Sequence, residues 1–405
     1  MDTSLPTRPC WAEINAQSFE DNYRYLKSLA AGEAELLAVV KSDAYGHSLA
    51  LCAPAAVRAG ALWLGVTSVE EGTAARGLCP EARILVMSGC FPGQGGELVK
   101  HRLTAVVWEP WHLDELESAA QKAGVGPLPV HLEIDTGMSR QGVGLNASGM
   151  DELGPLLARL GAGGPLRLEG VLTHLFAADE ADGRVMETQL ARLDAALEQI
   201  AGAGLAGSAT GAEWLSVGAS AALLNGDATR IAALARHWGM KAMLRPGLAL
   251  YGIAPPFEPD EPAAVAAART LLKPVLSWKT HVVSVRTVPP GTVVGYNGTF
   301  VATEPMRLAL LAVGYADGLD RRLGNRFSLL VRGERAPLVG RISMDQAVVD
   351  VTEIDGVEPG DEVVILGSQG RDTISALEHA EATGTIPWEV FTGIGARVRR
   401  ISAGS

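Results

Sequence analysis

From residue 34 to 251 the chain repeats one hydrophobic pattern: a short apolar run, a polar loop, then a segment whose apolar residues fall at helical spacing. Eight such runs can be counted: AELLAVV (34–40), ALWLGV (61–66), RILVMS (83–88), LTAVVW (103–108), VHLEID (130–135), LRLEGVLTH (166–174), EWLSV (213–217) and LRPGLALYG (244–252). Between them the spacing predicts helices such as Asp151 to Leu160 and Arg184 to Ile200, the latter with Val185, Leu190, Leu193, Leu197 and Ile200 on one stripe. Eight rounds of strand and helix predict an α/β fold of the (β/α)8 barrel type, with an open doubly wound sheet as the alternative.

After Tyr251 the pattern changes. A Pro- and Ala-rich connector (APPFEPDEPAAVAA) leads into β-branched runs separated by Gly and Pro, WKTHVVSVRTV, RLALLAVG, FSLLVRG and DEVVILG, which predict a mostly β domain. The expected organisation is a barrel over 12–262 and a carboxyl-terminal β domain over 263–405, with the change of texture inside 258–270. An amino-terminal strand, placed at 1–11 and read from CWAEI, is expected to join the second domain.

The length of 405 residues suits one barrel of ~250 residues plus a smaller domain. Hydrophobic residues at 47% and charged residues at 20% exclude disordered and fibrous classes. A net charge of −12 lacks the basic footprint that a phosphate backbone requires, so no nucleic-acid partner is expected. No apolar stretch reaches the ~18 residues of a membrane span, and the start (MDTSLPTRPCWAEI) has neither a basic n-region nor an apolar h-region. No membrane partner is therefore expected, and the cytoplasm is the expected location. Cys10, Cys52, Cys79 and Cys90 form no C-x-x-C, and the eight histidines show no metal-ligand spacing, so neither disulfides nor a metal is expected.

In a barrel of this type the reactive side chains belong on the loops at the carboxyl ends of the strands. The first run ends in AVVKSDAYGH, with Lys41 directly beyond it and Tyr45 in the loop. A lone lysine there is ordinarily a solvated strand end; at a barrel mouth it is also an amine able to form a Schiff base if neighbours lower its pKa from ~10.4. The fifth run continues into HLEIDTGMSRQG, where alternation places His131, Glu133 and Asp135 on one face and Arg140 follows as a candidate ion-pair partner. The sixth ends at THLFAADE, presenting His174 and Asp179. VGASAA and LRPGLALYG supply Ser220 at a helix start and Arg245 and Gly247 in a loop, small and basic residues suited to a phosphate held by backbone N–H groups. A strand-end lysine and a phosphate cradle on one face suggest pyridoxal 5′-phosphate.

The segments AVVKSDAYGH, DTGMSRQG, THLFAADE, ASAA, LRPGLALYG, VGYNGTF, VGYADGLDRR, GRISMDQ and GTIPWEVFTGIGARVRR resemble, in order, those of bacterial alanine racemases, from about residue 9 to 400. The resemblance implies a pyridoxal-phosphate isomerase that interconverts L- and D-alanine by a two-base mechanism, supplying D-alanine for peptidoglycan. It also implies a homodimer with shared active sites. Lys41 then corresponds to the Schiff-base lysine and one catalytic base, and Tyr296 to the second base, donated by the other subunit. His174 corresponds to the histidine bonded to that tyrosine, and Arg245 to the arginine facing the pyridine nitrogen. Arg140 matches the residue near the cofactor phenolic oxygen and the substrate carboxylate, and Met344 the backbone donor for that carboxylate. Tyr45, Ser220, Gly247 and Leu248 match phosphate contacts. Tyr315, Arg321, Arg341 and Asp179 match the entrance, with Asp345 close by.

Three positions depart from the family pattern. Many relatives carry a carbamylated lysine where this chain has Glu133, which is expected to supply the anion beside Arg140 directly. Trp388 replaces a tyrosine near the phosphate and substrate side chain, and Ala219 replaces an asparagine before the phosphate-binding serine. These changes keep open a serine or broad-specificity amino-acid racemase. A pyridoxal-phosphate-binding regulatory or carrier protein is the non-enzyme alternative, which Tyr296 argues against because a carrier needs no opposite-face base.

Overall fold

The computed structural model describes residues 8–144, 152–180, 182–207, 211–257 and 260–404, and its contacts divide the chain into two units. One unit comprises Gln17–Ala44 and Cys52–Lys273; the other comprises the described part of 1–16, Tyr45–Leu51 and the chain from Pro274 onward.

The first unit is built on eight parallel strands: Ala34–Val39, Trp63–Val66, Arg83–Val86, Thr104–Val107, Leu128–Asp135, Leu166–Leu172, Trp214–Ser216 and Lys241–Leu244. Each pairs with the next along the chain, and the last pairs with the first through Ala242↔Ala34 and Leu244↔Leu36. The ring therefore closes, which settles the choice between barrel and open sheet. Both faces of these strands are covered, so they read as continuous apolar runs and not as alternating ones.

The eighth strand lies earlier than expected. It runs Lys241–Leu244, so of LRPGLALYG only the first residue, Leu244, is in the strand, and the rest forms a loop and a 3-10 turn at Leu248–Tyr251. Pro246 has no N–H to give to a ladder, and Gly252 closes the turn at φ 92°, a left-handed value that favours glycine. The predicted helix after the sixth strand spans Arg184–Gly202, but its buried stripe is Met186, Leu190, Leu193, Leu197 and Ile200. Val185 is only half-buried, because a period of ~3.6 residues puts position 186, one turn before 190, on that face. Asp151 lies outside the described residues; its helix is described over Leu153–Gly161.

The predicted charged face of the fifth strand divides. His131 is fully buried, its Nε2 3.6 Å from the Glu169 carboxylate on the sixth strand. Glu169 also pairs with Arg83 at 2.7 Å and Arg167 at 2.6 Å, while the Arg83 guanidinium lies 3.9 Å over the Trp63 ring. His131, whose pKa burial lowers, thus lies beside an ion-pair cluster of Glu169, Arg83 and Arg167 within the barrel wall, separate from Glu133.

The second unit is mostly strand. Its main sheet runs in the order Glu334–Pro337, Ser328–Val331, Glu362–Gln369, Leu276–Val288, Cys10–Ile14 and Arg399–Ser402. Met306–Leu311 branches from Leu276–Val288 and carries Ala347–Asp350. The amino-terminal strand begins at Cys10 and continues past position 11 to Ile14, because Ala12 and Ile14 are fully buried in register with Trp278 and Leu276. Residues 1–7 of the expected 1–11 strand lie outside the described residues. A short ribbon pairs Val293–Val294 with Phe300–Val301 and encloses the turn that carries Tyr296.

Candidate active site

The barrel strands end in a set of ionisable groups that act on one another. Lys41 follows the first strand, is half-buried, and has its pKa lowered by burial and by the charges of Arg140 and Arg245, with Glu71 opposing. Arg245 stands directly beyond the eighth strand, only 5% exposed. Its terminal nitrogens donate to the Ser216 carbonyl at 2.7 Å, the Ser216 hydroxyl at 2.8 Å and the Thr173 carbonyl at 2.7 Å, and lie 3.4 Å from His174 Nδ1. Burial lowers the Arg245 pKa to about 10, which leaves it cationic at neutral pH. His174, after the sixth strand, is pushed down to about 3 by burial and by Arg245, Arg140 and Lys41. A neutral imidazole is therefore the resting form, because a fourth positive charge among these groups is unfavourable.

Ser220 and the loop of Gly247 and Leu248 meet beyond the strand ends. The Ser220 hydroxyl accepts the N–H groups of Gly247 at 3.1 Å and Ala249 at 3.2 Å, drawing the loop before the 3-10 turn onto the start of the Ser220–Leu224 helix. Ala219, in extended conformation, precedes it. Asp179 is exposed on the loop after the sixth strand.

Glu133 departs from expectation. Its carboxylate accepts a hydrogen bond from Gln141 Nε2, whose other partner is the Met87 carbonyl at 3.0 Å. Arg140 is exposed, and among the described residues it forms no ion pair with Glu133. Glu133 is 3% exposed, and burial raises its pKa to about 7 against the pull of Gln141, Arg245 and Arg140. The permanently charged partner expected for Arg140 is instead a buried carboxyl poised near neutrality, because a buried charge without an adjacent cation costs more than protonation.

Sequence reasoning passed over the side chains that hold this set. Ser216 and Thr173 anchor Arg245; Gln189 ties the Thr136 hydroxyl at 2.9 Å to the His174 carbonyl at 3.0 Å. Polar residues near the end of apolar strand runs, such as Ser216 in EWLSV, were the available signal.

The remaining candidates lie in the second unit. Tyr296 is 65% exposed at the ribbon tip, and Gly295 before it has φ 75°, where a Cβ would sit 3.0 Å from the Arg341 backbone nitrogen. Tyr315 and Met344 are brought side by side: Tyr315 N–H donates to the Ser343 carbonyl at 3.1 Å and Ala316 N–H to the Met344 carbonyl at 3.0 Å. Asp317, fully buried, accepts from Arg8, from Arg397 and from Gly314 N–H, and Arg397 also binds Asp345, so one carboxylate latches the Tyr315 turn. Tyr315 and Arg321 line a cavity of about 340 Å³; Arg321 and Arg341 line another of about 360 Å³. Tyr45 is buried, which pushes its phenol up to about 12. Trp388 is half-buried in the Pro387–Gly393 helix.

The barrel residues fit pyridoxal phosphate. The Arg245 bonds leave from its terminal nitrogens, so among the described residues its Nε–H has no acceptor and remains a donor that cannot readily give up its proton. The Lys41 amine, with lowered pKa, suits an aldehyde, and the Ser220 hydroxyl with the Gly247 loop suits a phosphate.

Known proteins match this chain along nearly its whole length. Residues 14–255 match the family described as alanine racemase, N-terminal domain, and residues 275–402 match alanine racemase, C-terminal domain. The chain is 38% identical over 400 residues to an alanine racemase of Symbiobacterium thermophilum, covering 98% of each chain. It is 37% identical over 403 residues to that of Sorangium cellulosum, covering 97% of this chain and 98% of the relative. Among solved structures, alanine racemase from Streptomyces lavendulae superimposes with TM-score 0.85 at 34% identity, over 99% of this chain and 98% of that one. The Bartonella henselae alanine racemase, solved with covalently bound pyridoxal phosphate, gives TM-score 0.80 at 28% identity over 98% and 100%. With both halves matched and the lysine, histidine and arginines gathered at the strand ends, the chain belongs to the alanine racemase family.

Proposed function

We infer that this chain interconverts L-alanine and D-alanine as a pyridoxal-phosphate-dependent isomerase. The observation that carries the reading is the mutual influence of Lys41, Arg140, His174 and Arg245 at the barrel strand ends, in a chain matched by both alanine racemase domains. When bound, the cofactor supplies an aldehyde for a lysine amine and a conjugated ring that spreads negative charge from the substrate α-carbon.

The chain's own residues then divide the remaining work. Lys41 holds the cofactor and moves a proton at one face of the α-carbon, its lowered pKa placing the neutral amine closer to working pH. Tyr296 moves the proton at the opposite face. Racemisation needs both, because the proton removed from one side must be replaced on the other. A phenol is a weak base and needs a partner, and neutral His174 is the acceptor proposed for its hydroxyl. Arg245 would hold the pyridine nitrogen of a bound cofactor and, because its guanidinium does not readily give up its proton, would leave that nitrogen unprotonated and the ring a poorer electron sink. Arg140 and the Met344 backbone hold the substrate carboxylate; Tyr45, Ser220, Gly247 and Leu248 hold the phosphate. Tyr315, Arg321, Arg341, Asp179, Asp345 and Trp388 shape access.

Supply of Tyr296 from a second copy of the chain, in a homodimer with shared sites, completes the proposal. Among the described residues no helix is long and apolar enough to cross a membrane; we place the enzyme in the cytoplasm, feeding D-alanine to peptidoglycan. The test is incubation of the cofactor-loaded protein with L-alanine, L-serine or L-lysine followed by resolution of enantiomers. D-Alanine should form fastest; absence of exchange, or faster exchange of serine, overturns the reading.

A further inference from the structure

Immediately after Lys41 the backbone does something that L-residues avoid. Ser42, Asp43, Ala44 and Tyr45 have φ values of 55°, 51°, 54° and 54°, a left-handed turn containing no glycine. In that region each Cβ crowds the following carbonyl oxygen, so a run of such residues persists only where surrounding bonds over-determine it. One bond is local, from Ala44 N–H to the Val40 carbonyl at 2.9 Å.

Another comes from Glu71. One carboxylate oxygen accepts Ser42 N–H at 2.6 Å and the second accepts Thr67 N–H at 2.8 Å. Glu71 lies in the first turn of the Val69–Leu78 helix, where the Ser68 side chain caps Glu71 N–H at 3.2 Å. In a reciprocal capping box a glutamate at this position turns back to the N–H of the capping residue itself. Here it bypasses Ser68, taking one backbone donor beyond the second strand and one beyond the first. Those strands already pair through Val39↔Gly65, so the carboxylate ties together two neighbouring strand ends at the barrel mouth.

We propose that Glu71 is a positioning residue for the racemase reaction, clamping Ser42 and Thr67 so that the left-handed turn holds Lys41 in place for the cofactor aldehyde. The proposal rests on the reading of Lys41 as the cofactor-binding lysine. Mere helix capping would not need the Ser42 bond, and an amide cannot replace the carboxylate fully, since it offers one oxygen to two N–H groups.

The experiment uses the cofactor-loaded protein and its Glu71→Gln variant. The variant should fold and bind pyridoxal phosphate about tenfold or more weakly, as expected when a reacting group is misplaced. Hydrogen exchange over residues 42–44 should quicken. Ser42→Gly, which adopts positive φ without a Cβ clash, should restore most of the cofactor affinity in the Glu71→Gln background. Wild-type affinity with unchanged exchange in folded Glu71→Gln overturns the proposal, as does a loss of affinity that Ser42→Gly leaves untouched. Lys41→Ala separates the two levels: a borohydride-reducible link to protein surviving in that variant refutes the lysine assignment, whereas its loss alongside a normal Glu71→Gln refutes only the role of Glu71.

Discussion

Replacing Glu133 by glutamine isolates the buried carboxyl that the fold leaves without an adjacent cation. Burial raises its folded-state pKa from 4.5 to about 7, whereas in the unfolded chain the proton leaves near the ordinary value. The folded state therefore binds this proton more tightly. Its contribution to stability is fully present below pH 4.5 and is lost as pH rises through about 7. The gap between 4.5 and about 7 corresponds to about 3 kcal/mol at ~1.36 kcal/mol per pH unit. With ~2.1 cal/mol/K of unfolding entropy per residue over 405 residues, that is a change of about 3–4 °C in Tm. Glutamine at 133 keeps an oxygen for Gln141 Nε2 and has no proton to lose. Thermal unfolding of both proteins in parallel, from about pH 5 to about pH 8, should show wild type losing about 3–4 °C relative to Glu133→Gln. Arg140→Gln should move the midpoint of that loss to higher pH, since the Arg140 charge pulls the Glu133 pKa down. A difference curve that stays flat over this range refutes the argument that burial holds Glu133 protonated.

Three further outcomes follow from the site. Tyr296→Phe should lower racemisation by ~10²–10⁴-fold while retaining cofactor absorbance; mixed with Lys41→Ala chains under verified subunit exchange it should regain activity, and no regain counts against shared sites. Arg245→Gln should lower the urea midpoint, because it leaves the Thr173 carbonyl without its Arg245 donor at a cost of about 1–3 kcal/mol, whereas the Ser216 carbonyl keeps the Thr173 N–H; an unchanged midpoint shows the Thr173 bond is dispensable. His174, held at a pKa of about 3, should remain neutral across neutral pH, so ring NMR signals titrating near the ordinary 6.5 would refute its crowding by Arg245, Arg140 and Lys41.

Much of the barrel was written locally. Parallel strands covered on both faces need unbroken apolar runs, so runs such as AELLAVV and RILVMS announce themselves, and reactive residues just beyond them fall at the mouth by topology alone. Lys41, His174 and Arg245 were legible for that reason. The eighth strand was misplaced because LRPGLALYG is apolar enough for a strand, and only ladder pairing distinguishes Lys41's neighbouring strand partner, Lys241–Leu244, from the 3-10 turn that follows. The partner of Glu133 was decided by tertiary structure for a similar reason. Spacing along one strand suggested Arg140, yet a hydrogen bond depends on direction and distance across the loop, and these gave the carboxylate to Gln141 while leaving Arg140 exposed. Burial then shifted Glu133 toward neutrality, which no pattern of residue types contains, because desolvation is a property of everything packed around a group and not of the group itself.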